Sequence, residues 1–213
     1  MTRILMIRHG QSVANRDGKF VGQTDAPLSE TGEKQAELTA EFIKENYHVA
    51  KVYASDLKRA YNTGKAVSDL LGIEIEGSKR LREINAGKWE NNYFNDLPTL
   101  FPESYNVWLT DIGNAKCDGG ETVKEMSERI IGALNEIARK HNGETVAVAT
   151  HATPIRIAET FFRSGEIKNM KEVGWVTNAS VSEFIYENEK WTIGKMSQDA
   201  HLEKLITKLP KNC

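Results

Sequence analysis

Apolar positions along this chain follow two rhythms that take turns. Ile4-Leu5-Met6-Ile7 and Thr145-Val146-Ala147-Val148-Ala149 are nearly unbroken apolar runs, the pattern of strands covered on both faces. Val52-Tyr53-Ala54 reads as another short strand. Between these runs the spacing turns helical. Ser29 can cap a helix toward Asn46, with Ala36, Leu38, Phe42 and Ile43 available for its inner face. Asp56 to Leu71 carries Leu57, Ala60, Tyr61, Gly64, Val67 and Leu71 at helical spacing, and Gly72 is a plausible stop. Val123, Met126, Ile130, Leu134 and Ile137 form a stripe between Thr122 and Lys140, closed by Asn142-Gly143. Pro154 is expected to open a further helix. Val181–Tyr186 and Trp191–Met196 alternate apolar and polar residues around Asn188, which predicts a terminal hairpin. This strand–helix alternation predicts a three-layer α/β/α sandwich with a mostly parallel central sheet.

One stretch breaks the rhythm. Residues 91–118 hold Tyr93, Phe94, Pro98, Phe101, Pro102, Tyr105 and Trp108. This reads as a small helical insertion that either overhangs a site or simply packs at the sheet's periphery. The whole chain, 1–213, is otherwise expected to form a single domain.

Composition narrows the function without choosing it. The 213 residues are 39% hydrophobic and 27% charged, an ordinary globular balance. A net charge of −2 and a pI near 6.2 give no support to a nucleic-acid surface. No apolar run approaches the roughly 18 residues that span a bilayer. The start of the chain lacks the apolar core of a signal peptide. Cys117 and Cys213 are the only cysteines, too few for a disulfide framework, so a reducing, cytoplasmic setting is expected. The five histidines form no metal-ligand spacing and the glycines no nucleotide-binding loop. Neither a metal nor another cofactor is expected, and the oligomeric state is not legible.

The candidate chemistry begins where the first apolar run ends, at Arg8-His9-Gly10. In open α/β sheets, ligands bind at the carboxyl ends of the strands. His151 follows the strand Thr145–Ala149 in the same way, and Arg59 lies at the start of the helix after Val52–Ala54. Glu83, in Leu81-Arg82-Glu83-Ile84, comes shortly after Ile73-Glu74-Ile75. Neighbouring strands would bring all four to one rim. Each residue also has a bland reading: a histidine after a strand is often just a satisfied polar group. Arg59 could pair with Asp56 or Glu90, and Glu83 could accept from Arg82 or a backbone amide.

Five segments in order resemble the histidine phosphatase superfamily, which includes the phosphoglycerate mutases. They are Arg8-His9-Gly10, Ser55 through Thr63, Leu81-Arg82-Glu83 with Gly87-Lys88-Trp89-Glu90, Gly119-Gly120-Glu121-Thr122, and Thr150-His151. Asp25-Ala26-Pro27-Leu28-Ser29 and Gly32 match as well. The resemblance implies that His9 attacks phosphorus and forms a phosphohistidine that water hydrolyses. Arg8 and Arg59 would hold the phosphate oxygens, joined by Asn15 and by a protonated His151. Glu83 would serve as general acid and then base. Gln23, Thr24, Phe20 and Val21, on the loop after the nucleophile, and Trp89, Tyr93 and Trp108 are candidates for substrate contacts.

The mutase branch normally carries Glu-Arg and a Tyr-Gly pair at the acid, with a long insertion after it. Glu83-Ile84 and the short segment before Gly119 look like the phosphatase branch. Asn91 and Ala152 stand where glycines often occur. The expectation is therefore a metal-independent phosphomonoesterase acting on a small phosphorylated metabolite. Phosphoglycerate mutation and a non-catalytic phosphate-binding module are the alternatives.

Overall fold

The computed structural model describes residues 1–207; Cys213 lies outside the described residues. Six strands form one sheet in the order β3-β2-β4-β1-β5-β6. They are β1 (Thr2–Arg8), β2 (Val49–Ser55), β3 (Ile75–Ser78), β4 (Thr145–Thr150), β5 (Val181–Glu187) and β6 (Lys190–Ile193). β1, β2, β3 and β4 run parallel, while β5 and β6 are antiparallel additions at one edge. The sheet is thus mostly parallel and flanked by helices, an α/β fold.

The unbroken apolar runs are explained by two covered faces. Leu5 and Ile7 of β1 pack with Ala40 and Ile43 of α2 (Glu30–Asn46) and Val67 of α3 (Lys58–Leu71). Ile4 and Met6 face the other way, toward Met126, Ile130 and Leu134 of α6 (Val123–Lys140) and Ile155 of α7 (Ala152–Ser164). Every one of Ile4, Leu5, Met6 and Ile7 is fully buried. Alternation along the strand sends neighbours to opposite layers.

Local signals set most boundaries. The Ser29 hydroxyl accepts from the Gly32 amide at 3.1 Å and caps α2. Thr122 and Glu125 form a reciprocal capping box at the start of α6. Gly72 ends α3 in a left-handed conformation. Asn188 and Glu189, both at positive φ, make the two-residue turn of the terminal hairpin. Three boundaries differ from expectation. α3 begins at Lys58 rather than Asp56, after a Leu57 that has no side-chain cap. β3 lies at Ile75–Ser78, later than the apolar Ile73–Ile75. α7 starts at Ala152, so Pro154 sits inside its first turn, where a missing N–H costs no hydrogen bond.

The irregular stretch does hold short helices, α4 (Leu97–Leu100) and α5 (Pro102–Thr110). It is stitched to a segment after the one-turn helix α1 (Val13–Arg16) by backbone bonds. Phe20 N donates to Asn92 O, Asn91 N to Phe20 O, and Phe94 N to Gly18 O. Asn91 adopts φ 67 here, which explains why glycine suits this position and why asparagine can replace it. Among the described residues, no helix is long and apolar enough to cross a membrane.

Candidate active site

The carboxyl ends of β1, β4 and β2 lie side by side, and the sheet register places their last residues together. Arg8 pairs with Thr150 in adjacent strands, so His9 and His151 emerge next to each other. Their rings meet edge-on with centroids 5.1 Å apart. The His9 backbone is tied at both sides: its N–H donates to Thr150 O, and its carbonyl accepts from Asn178 Nδ2 and Ala179 N. Ala179 adopts φ 59, and its single N–H thereby serves both the Arg8 and His9 carbonyls.

The His9 ring is held in one tautomer. Nδ1 lies 2.7 Å from Gly10 O and must donate, since a carbonyl only accepts. The lone pair therefore sits on Nε2. Burial and then the Arg59 and Arg8 charges push the His9 pKa well below its ordinary value, so the ring is neutral near pH 7. Gly10 and Gly32 let the following loop cross the start of α2. A Cβ on Gly10 would lie 2.3 Å from Gly32 O, and one on Gly32 would lie 2.0 Å from Gln11 O.

Arg59 is almost wholly buried. Its guanidinium donates to Thr24 O at 2.9 Å and Gly22 O at 2.7 Å. Neither Asp56 nor Glu90 is its hydrogen-bond partner; Asp56 instead takes a two-pronged pair from Arg82. Burial pulls the Arg59 pKa down to about 10, against the opposing pull of Glu83, Glu90 and Asp25, so it stays cationic at neutral pH. Arg8 donates to Val176 O. The Asn15 carbonyl accepts from Ser12 N and Asn178 Nδ2, which leaves its NH2 as the donor end.

Glu83 accepts from Ile84 N at 2.8 Å and Thr153 N at 3.3 Å. Backbone amides, not Arg82, are thus its partners. Its pKa is nonetheless raised, because desolvation outweighs those two amides, the Thr153 hydroxyl and the Arg59 charge. The acid is therefore easier to protonate than an ordinary glutamate.

These groups share one pocket, lined by Arg8, His9, Asn15, Arg59 and Glu83. Its outer wall is Lys19, Phe20, Val21, Phe94, Trp108 and Trp175, with Ala152 and Thr153 at the start of α7. Phe94 and Trp108 come from the irregular stretch, which thus contributes to the wall of this pocket.

Several expected contacts fall elsewhere. His151 is fully buried behind His9, with Nε2 2.9 Å from Ser55 Oγ, and it does not line the pocket. Burial, then Arg59, lowers its pKa well below the ordinary value, so it is neutral beside the guanidinium groups rather than protonated. Gln23 and Thr24 do not line the pocket either. Gln23 donates to Glu83 O, and Thr24 O receives Arg59. Trp89 is buried in the core, and Tyr93 is half-exposed outside the pocket.

Sequence reasoning passed over Lys19, Phe94, Trp175, Asn178 and Ala179. Phe94 sat in a recognised aromatic cluster, but no periodicity marks the loop holding Trp175, Asn178 and Ala179. Among the described residues, no cluster of His, Cys, Asp and Glu is arranged to hold a metal ion.

Comparison with known proteins agrees with this geometry. Residues 4–199 match the family model of the histidine phosphatase superfamily (branch 1). The chain is 28% identical over 211 residues to phosphoserine phosphatase 1 of Hydrogenobacter thermophilus, covering 99% of each. It is 31% identical over 207 residues to a metal-independent phosphoserine phosphatase of Arabidopsis thaliana, covering 96% of this chain and 85% of that one. Among solved structures, Bacillus stearothermophilus YhfR matches with a TM-score of 0.89 at 24% identity, covering 95% of this chain and 100% of that one. A mycobacterial glucosyl-3-phosphoglycerate phosphatase in complex with VO3 matches with a TM-score of 0.85 at 25% identity, covering 92% and 99%.

Proposed function

Since this chain belongs to the histidine phosphatase superfamily and is a phosphoric monoester hydrolase, we propose that it works through a phosphohistidine on His9, without a metal ion. The observation that carries this reading is the His9 ring itself: neutral, with Nδ1–H held by Gly10 O and Nε2 left as nucleophile beside two arginines. Nε2 forms the bond to phosphorus as the ester P–O bond breaks. Arg8, Arg59 and the Asn15 amide bind the non-bridging oxygens, a planar fork being suited to phosphate.

Glu83 gives its proton to the departing alkoxide and later takes one from the incoming water. Its raised pKa suits the first step, and the negative charge of bound phosphate raises it further. His151, recessed behind His9 with Nε2 2.9 Å from Ser55 Oγ, packs edge-on against the nucleophile's ring and steadies its orientation. Water rather than a second substrate receives the phosphoryl group, because the covering segment is short.

The substrate is a small phosphomonoester. Lys19 lines the outer wall, apart from the arginines of the phosphate cradle, and its ammonium lies over the neighbouring Tyr93 ring, within a side-chain rotation of the pocket mouth. That favours an alcohol bearing a carboxylate, as in the phosphoserine named for two relatives.

Rapid quenching during turnover of 32P-phosphoserine tests the reading. The label is expected on His9, stable to alkali and labile to acid, at lower substrate concentration than with an uncharged alkyl phosphate. Label on a different residue, or turnover with none, would reject it.

A further inference from the structure

Glu83 lies in a stretch without regular secondary structure, between a single turn at Lys79–Leu81 and another at Gly87–Trp89. No strand partner fixes it. One side chain from α6 takes that place. Arg129 uses all five of its N–H donors. Nη1 donates to Arg80 O at 3.0 Å and to Arg82 O at 2.7 Å. Nη2 donates to Glu83 O at 2.9 Å and to Glu121 Oε2 at 2.8 Å, and Nε donates to Glu121 Oε1 at 2.7 Å. Glu121 closes the frame: its carboxylate accepts from Asn85 N, and its own N–H donates to Asn85 O. The pair is largely buried, with side chains 19% and 15% exposed.

We propose that Arg129, braced by Glu121, is a positioning residue for the general acid. It touches no reacting atom. It fixes the carbonyls of residues 80, 82 and 83, and so sets where the Glu83 carboxyl points in the pocket. A planar guanidinium can span three carbonyls and a carboxylate at once, whereas a lysine ammonium has three donors and no fork. The inference rests on Glu83 acting as proton donor, and it adds the residue that aims that donor.

The test compares an alkyl phosphomonoester with p-nitrophenyl phosphate, whose leaving group scarcely needs a proton. Arg129→Lys should lower kcat on the alkyl ester roughly 10–100-fold, in line with a misplaced acid. The loss on p-nitrophenyl phosphate should be about threefold or less on the same ground, because the proton matters little there. Inhibition by inorganic phosphate, which reports the cradle, should stay unchanged. A general loss of structure would lower both substrates alike. Glu121→Gln, read the same way, gives the answer should Arg129→Lys fail to fold.

Glu83→Gln is run beside them. If Glu83→Gln separates the two substrates and neither frame variant does, the positioning role is overturned while the acid stands. If Glu83→Gln itself lowers both equally, the acid assignment fails and the positioning role falls with it.

Discussion

The proposed nucleophile and the proposed acid reach one pocket by opposite means. His9 and His151 are delivered by the sheet: a parallel register aligns Arg8 with Thr150, and each histidine is the next residue out. Glu83 is delivered by side chains that grip a loop backbone, chiefly Arg129 and Glu121, with Gln23 adding a bond to the Glu83 carbonyl. A sheet-borne residue is held by a cooperative ladder that extends through the core. A loop-borne residue depends on a few charged contacts, each of which a single substitution can remove. Damage to the first kind should therefore abolish chemistry, and damage to the second should misdirect it.

The sharpest way to break this contrast is His9→Ala. Turnover should fall by about 10⁴-fold or more, as for loss of a covalent nucleophile, while calorimetry still detects inorganic phosphate bound by the arginines. Substantial residual turnover would mean that the sheet does not carry the reacting group.

Next in size is the pH response of Glu83→Gln. His9 has a lowered pKa and must be neutral, so activity should already be high well below pH 6.5 and fall only in stronger acid. Glu83 has a raised pKa and must be protonated, so activity should decline as pH rises through that pKa. Glu83→Gln should flatten the alkaline limb for an alkyl ester and cost about 10²–10⁴-fold in rate. The acid limb should stay in place. A retained alkaline limb would assign the proton transfer to another group.

The smallest effect should come from Glu90→Gln. The Glu90 carboxylate accepts the amides of Gly22, Gln23, Thr24 and Ala86, while Arg59 holds the carbonyls of residues 22 and 24. Replacing a charged acceptor by an amide should lower stability by about 1–3 kcal/mol. Faster hydrogen exchange should appear at residues 22–24, with a modest rise in KM. Unchanged exchange there would show that Arg59 alone secures the loop.

This division also explains what was legible beforehand. Ile4–Ile7, Thr145–Ala149, the Ser29 cap and the Gly72 stop are local signals, and each marks an element that the structure contains. The residues at the strand ends followed from them. Arg129 gave no such signal, because its function depends on five bonds to four residues between 8 and 49 positions away along the chain. His151 was found, but its neutral, recessed state was not, since burial and neighbouring guanidiniums are tertiary facts. Gln23 and Thr24 were placed on the right loop, yet the loop turns them toward Glu83, Glu90 and Asn91 instead of the pocket. Trp175 escaped notice because the tight approach of Arg156, 4.1 Å from its ring, exists only after folding.

The stitching of residues 18–20 to 91–94 has a consequence for how such an enzyme can diversify. The hydrogen bonds of those seams run between main-chain atoms and do not depend on which side chains stand at Phe94 or, further along, Trp108, although the Phe20 ring packs against both. The roof over the reaction can be re-tiled one residue at a time while its rafters stay nailed down. New alcohols could thus be admitted or shut out with the phosphoryl machinery beneath left undisturbed.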